Sequence, residues 1–390
     1  MAPPRHPTLL DRAGDAATWA ATLPHRLTRP FGHAERPAPT PLDHFLAETP
    51  HSAHGLWLAY DRLLRRAARE RRRVRPSAPK PSAAPPDPAA SWWEAWYARA
   101  DALAVLHASR SRSVTALVPI IAAAAVALGG VGDVLAGLDG LPPWPARAAL
   151  ALQSLAILAI ALLVTVARTG AWQERAVERR LLAELCHIQA AMAPLGRDLP
   201  LTVVATGGSS ALAWLFAALQ RAAPRPSGYL GGARVAVAPE GLSRGLIGGQ
   251  IHWHRARRRR MHRAGALLLH SGEALFFAVT AVIAGKLWLG PAVWGHGWGL
   301  GLGWLTTTLP AIAAAALGLR KYAETELLAR QSERMILRLR AARHRLDAVD
   351  IAAPLASERL GAEALRAADL MLRETAGWAE LFELKAAETG

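Results

Sequence analysis

Cysteine is almost missing: Cys186 stands alone among 390 residues. No disulfide can close within one chain, which fits a reducing compartment. With no paired base in view, the thiol reads as a structural residue. Acids are scarce beside bases, 30 against 46, and the net charge is +16. The signatures of common enzyme chemistry are missing too. There is no Gly-rich phosphate loop with its lysine, no nucleophile elbow and no paired-Cys metal site. Gly248-Gly249-Gln250 is a tripeptide that chance supplies freely. A protein that is not an enzyme, and that carries no cofactor or metal, is therefore expected. The opening "MAPPRHP" has no apolar h-region, so no cleavable signal peptide is expected.

What the chain has in quantity is apolar residues, 52% of the total, gathered into runs without charge. Residues 113–132 read "SVTALVPIIAAAAVALGGVG" and 148–167 read "AALALQSLAILAIALLVTVA". Residues 274–285 read "ALFFAVTAVIAG", and 287–319 contain no Asp, Glu, Lys or Arg. A bilayer core takes about 20 apolar residues per helix. The pattern predicts an all-α integral membrane protein with four transmembrane helices in two pairs and cytoplasmic helical extensions. Buried core helices of an Ala-rich soluble protein are the competing explanation.

The basic residues set the orientation. Lys and Arg number 17 in residues 1–112, 15 in 168–263 and 12 in 320–390; Arg147 and Lys286 are the remaining two. The tendency of positive loops to stay inside places both termini and the middle segment in the cytoplasm. The loops around 132–147 and 287–298 then face outward, with Trp144, Trp288, Trp294 and Trp298 suited to an interfacial belt. Arg255, Arg257, Arg258, Arg259, Arg260 and Arg263 flank the third span on the inner side. There they meet anionic lipid headgroups at about 1 kcal/mol per basic residue. Nucleic acid is the rival partner, but no zinc-finger, helix-turn-helix or RNA-recognition pattern accompanies the patch, and none is expected to bind.

Four regions follow. Residues 1–91 are basic and Pro-rich, expected to be largely disordered, with an amphipathic helix over 55–75 (Leu56, Leu58, Tyr60, Leu63, Leu64) that can lie on the inner leaflet. Residues 92–196 hold the first span pair and a stalk, 197–250 a cytoplasmic connector, and 251–390 the second pair with a coiled-coil-like stalk. In that last stalk Leu328, Ser332, Met335, Leu339, Ala342, Leu346 and Val349 follow heptad spacing. Leu328, Met335, Leu339 and Leu346 form a seam for the other stalk or for a second subunit, so a homo-oligomer is expected. His252, His254, His262 and His270 are spaced too widely for one ion and read as headgroup-level histidines.

Glu273 interrupts the apolar part of the third span. A carboxylate inside a bilayer is costly and functional by default. If the span starts at Ala274, however, Glu273 is interfacial, and that placement is preferred here. Gln153, Ser154, Thr165, Thr306, Thr307 and Thr308 are the polar candidates for a pore lining.

Several segments carry a resemblance: "WYARADALAVLHASRSRSV", "WQERAVERRLLAEL", "LPAIAAAALGLRKYAETELLARQSERM", "GGQIHWHRARRRRMHRAGALLLHSGEALF" and "ADLMLRETAGWAELFELK". Together they span residues 92–388, and the chain there resembles the SLATT group, the SMODS- and SLOG-associating two-helix transmembrane effector domains of bacteria. The resemblance implies a pore-forming or membrane-perturbing effector in a conflict system, triggered through a nucleotide-linked sensor. Residues 1–90 contain no strand-rich, Gly-rich sensor, so the resemblance implies a separate cytoplasmic sensor protein. A membrane-anchored scaffold, recruiting a partner through the helical stalks, is the alternative.

Overall fold

The computed structural model describes residues 40–67, 87–200, 209–225, 236, 238–293, 296–322 and 324–389. Every regular element among them is helical. Two short helices come first, α1 (Pro41–Ala47) and α2 (Ala59–Ala67). They are followed by α3 (Pro88–Ala136), α4 (Trp144–Thr169), α5 (Trp172–Met192) and α6 (Ser210–Ala222). A π-helical segment, Gly241–Ile247, leads into α7 (Gly248–Val293). The chain ends with α8 (His296–Tyr322), α9 (Thr325–Asp347) and α10 (Ala356–Thr389).

Local chemistry fixes several starts. Thr40 and Asp43 form a reciprocal capping box at α1. Asp87 accepts from the Ala89 and Ala90 amides, and Pro88 opens α3 where its missing N–H has no partner to lose. Ser209 caps α6 through the Leu212 amide.

The lengths recur. Helices of 49, 26 and 21 residues (α3, α4, α5) are matched by helices of 46, 27 and 23 (α7, α8, α9). The second and third members of each set are separated at one non-glycine residue in the left-handed conformation, Ala171 (φ 46°) and Glu324 (φ 43°). An L-residue enters that region at a cost of about 1 kcal/mol. The same device therefore ends the apolar helix and starts the charged one twice over.

Four helices are long and apolar enough to cross a membrane: α3, α4, the helix containing α7, and the one beginning in α8. Their apolar parts pack as an open row in which α3 contacts α4 and α8, and α8 contacts α7. Gly129 and Gly130 permit the close approach on both sides of α3. A Cβ on Gly129 would lie 2.8 Å from the Gln153 amide of α4, and one on Gly130 would lie 2.8 Å from the Trp304 indole of α8. Trp304 Nε1 donates to the Ala127 carbonyl at 2.9 Å, a helix-to-helix bond inside the row. Outward, Leu155, Leu158, Leu162, Phe276 and Phe277 are exposed, and Trp288 is 92% exposed. Contiguous apolar surface of this extent belongs in lipid rather than water.

The charged parts of the helices form a compact body at one end of the row. Its core joins Phe45, Trp93, Phe216, Leu185, Ile188, Leu339 and Leu360, drawn from six different helices. This corrects several sequence expectations. Residues 40–67 are folded into the body: Phe45 is fully buried, and Leu64 packs with Met261, Ala264 and Ala329. The helix expected over 55–75 runs from Ala59 to Ala67 and faces protein, because that core lies beneath it; residues 1–39 and 68–86 lie outside the described residues. Within the 197–250 connector, α6 buries Leu212, Leu215, Phe216 and Leu219.

The heptad stripe is also an internal one. Met335, Leu339 and Leu346 are buried in the main core, and Leu328 packs against the Leu64–Met261 cluster. Of the two partners expected for this seam, the other stalk or a second subunit, it is helices of the same chain that cover these residues. Helix α7 runs on through Lys286 to Val293, so most of the outward loop expected around 287–298 is helix. Trp144 is exposed as expected; Trp294 lies outside the described residues, as does the side chain of Trp298.

Candidate functional site

Where the apolar row meets the body, α7, α8 and α9 line a crevice of about 670 Å³. The left-handed turn at Glu324 sends α9 away from α8, and Gly265 allows α7 to reach the first residue of α9. A Cβ there would stand 2.5 Å from Thr325 Oγ1. Arg258, Arg259, His262 and Arg263 line the crevice from α7, Arg320 from α8, and Glu326, Arg330 and Glu333 from α9; Leu269 forms part of the wall toward the apolar row.

The ion pairing is uneven. Arg258 donates to Glu333 at 2.7 Å, and Arg330 binds Glu326, which Arg320 approaches at 4.0 Å. Arg259, His262 and Arg263 are exposed and have no acidic partner among the described residues. Of the arginines singled out by sequence, Arg258, Arg259 and Arg263 thus line one crevice. Arg255 lies in a separate pocket, Arg260 is half-buried, and Arg257 packs 4.9 Å from the Trp253 ring centroid. Burial, reinforced by Arg112, lowers the Arg257 guanidinium to about 10, so it stays charged at neutral pH.

Glu273 stands on the outer, exposed side of α7. Its neighbour Gly272 faces Leu317 of α8, where a Cβ would meet Leu317 Cδ2 at 2.9 Å. Arg320 lies three residues further along α8, so Glu273 sits about 5 Å, one helical turn, from the level of that arginine. The hydroxyl candidates do not share an axis within one chain. Ser154 and Thr165 are exposed on α4 and bond the Leu150 and Ala161 carbonyls of their own helix. Thr306 and Thr307 likewise bond Gly303 and Trp304 carbonyls. Gln153 sits against Gly129, and Thr308 is 3% exposed with its hydroxyl unpartnered.

Beneath the crevice, buried polar groups tie the two helix sets together. Arg179 of α5 donates to both Glu48 oxygens, at 2.9 and 3.1 Å, and His107 lies 3.7 Å from the same carboxylate. Burial alone would raise this carboxyl, but His107 and Arg179 outweigh it and hold Glu48 at about 2, below its usual 4.5. Arg180 bridges Asp101 of α3 (2.7 Å) and Glu184, and Glu184 accepts from Gln250 of α7 at 2.9 Å. His254 is buried against Glu374 at 3.2 Å, which removes it from the headgroup-level histidines expected from sequence; His252, His262 and His270 remain exposed. Burial pushes the Cys186 thiol up, as suits a packing residue.

Sequence reasoning missed Glu48, Gln250 and Trp304. Each has a partner 66 to 177 positions away, and no local pattern announces such a pair.

Fold and site define an all-helical protein with four helices long and apolar enough to span a membrane, joined to a basic helical body. Comparison with family models, with curated proteins and with solved structures finds no match to this chain.

Proposed function

We propose that the protein is a bacterial inner-membrane effector that perturbs the bilayer, or forms a pore, when copies assemble under the control of a separate sensor. The observation that carries this reading is the open row of spans. Helix α4 is an edge member whose most apolar stretch is 6% buried, and it turns Ser154 and Thr165 outward. A lone helix in lipid gains little from exposed hydroxyls, whereas helices meeting through small and hydroxyl residues do. The recurring helix lengths and the near absence of basic residues between the spans of each pair support two transmembrane pairs, each with a cytoplasmic extension. The crevice arginines would then hold the inner boundary through anionic headgroups. The resemblance to SLATT domains supports the same role.

The test is dye release from vesicles containing purified full-length protein at rising density. Leakage should climb more steeply than protein density. Vesicles that stay sealed at every density would favour the second reading, a membrane-anchored scaffold. Leu337, Ile351 and Leu355, large apolar residues exposed on the body, favour that alternative by offering a partner surface.

A further inference from the structure

A second basic pocket lies at the far end of the body. From the nearest residues of the crevice it is offset by about 10 Å along α9, Glu333 to Arg340, and by about 5 Å along α7, Arg258 to Arg255. Its volume is about 270 Å³, and it opens between the start of α7 and the end of α9. Arg255 projects from α7; Arg340, Arg343, His344 and Asp347 project from α9 at helical spacing on one face. Buried Ile251 supplies an apolar wall, and Gly248 leaves one side without a side chain.

The pocket is partly pre-organised. Gly248 directly follows the π-helical segment, a distortion frequent at functional sites. That segment presents Ser243, 3% exposed, whose hydroxyl accepts from Arg343 Nε at 3.1 Å. The same Nε lies 3.6 Å from Asp347 Oδ2. One arginine is therefore placed by a hydrogen bond and a nearby carboxylate. The other two are not: among the described residues neither Arg255 nor Arg340 has an acidic partner. Three guanidinium groups against one carboxylate leave an excess of two positive charges, before His344 is counted.

Chains do not gather unpaired arginines around one cavity without a cost in mutual repulsion, and a bound anion removes it. Guanidinium forks match the geometry of phosphate oxygens, and the two-charge excess matches a dianion. The volume is below the roughly 300 Å³ at which drug-sized ligand pockets begin, so the pocket takes a phosphate group rather than a whole large ligand. We infer that the cleft between Arg255 and Arg340 is a binding site for a soluble phosphate-bearing anion, whose phosphate seats on Arg255, Arg340 and Arg343. Lipid phosphate is the poorer source, because the crevice lies between this pocket and the apolar row. The inference is independent of whether the chain perturbs membranes. It gives this body a ligand of its own, one that bridges α7 and α9.

The experiment is calorimetric titration of the full chain, in nanodiscs of neutral phosphatidylcholine, with inorganic phosphate and with pyrophosphate. Saturable one-to-one binding is expected with at least one of the two. Arg255→Gln and Arg340→Gln, from opposite walls, should each weaken it at least tenfold, the loss of one charged hydrogen-bonding group. Arg338→Gln removes the same charge from an exposed α9 position outside the pocket and should stay within twofold of wild type. Circular dichroism checks that all three variants retain the wild-type helix content; both pocket arginines are exposed, so folding does not rest on them. Absence of saturable binding, a pocket variant within twofold of wild type, or an Arg338→Gln loss equal to the others would each overturn the assignment. The last outcome would mean general attraction to a chain of charge +16.

Discussion

Glu48 holds the first turns of the folded chain to the body, and its carboxylate is ionised well below the ordinary range. Its folded value is about 2 against a usual 4.5. A depressed carboxyl contributes its full stability above the unfolded value and loses it as pH falls toward the folded one. The contribution is therefore complete above pH 4.5 and declines down to pH 2. Glu48→Gln should lower stability at pH 7 by about 2 kcal/mol and flatten the pH slope in that window, read by thermal unfolding in detergent. Equal slopes in the two proteins would remove Glu48 as their source. Glu273 poses the opposite case. It is exposed and about one turn from Arg320; with the inner boundary proposed at that level, Glu273→Gln should leave insertion and any conductance nearly intact. Planar-bilayer recordings decide this: a clear change in cation/anion permeability would move Glu273 into a conduction path.

At the scale of elements, Ala171 and Glu324 perform one task in two places. Each ends an apolar helix and redirects the chain into a charged one. Glycine adopts that conformation freely, and a β-branched residue resists it. Ala171→Gly should hold or raise thermal stability by up to about 1 kcal/mol, while Ala171→Val should lower it by more than that. The α9 stripe yields another expectation. Leu339 is fully buried within one chain, so Leu339→Asp should destabilise the fold by about 3 kcal/mol or more. A melting curve matching wild type would show that the stripe is solvated. The stripe also marks a limit of sequence reading. Heptad spacing identifies which residues share a face, but not what covers that face, because α7 and α10 supply their covering residues from distant parts of the chain. The four apolar helices were legible for the converse reason: length and lack of charge are local properties. The turn positions were not legible, since neither Ala171 nor Glu324 is a residue that usually marks a left-handed bend.

On the scale of the whole molecule, charge and apolar surface separate along the long axes of α3 and α7. Each is a single helix that begins in the charged body and ends in the apolar row. The segregation was visible in the sequence as alternating charge-free runs and basic stretches, whereas the folding of residues 40–67 into the body was hidden by its Pro-rich, basic surroundings. It also makes orientation testable. A body this rich in arginine crosses a membrane at great cost, and short loops with few basic residues are the ones translocated. The turn between α3 and α4, residues 137–143, contains no Lys or Arg, and the α7–α8 connection holds none after Lys286. Reporter fusions at positions 138 and 292 should therefore read periplasmic, and those at 210 and 390 cytoplasmic. The fusion at 210 is the sharpest, because α6 packs in the core that α3, α5 and α9 share. If 210 and 390 reported opposite sides, the shared core would have to be pulled apart across the bilayer, and the four-span arrangement would fail. A cytoplasmic signal at 138 would break the scheme in a different way, by showing that α3 does not cross.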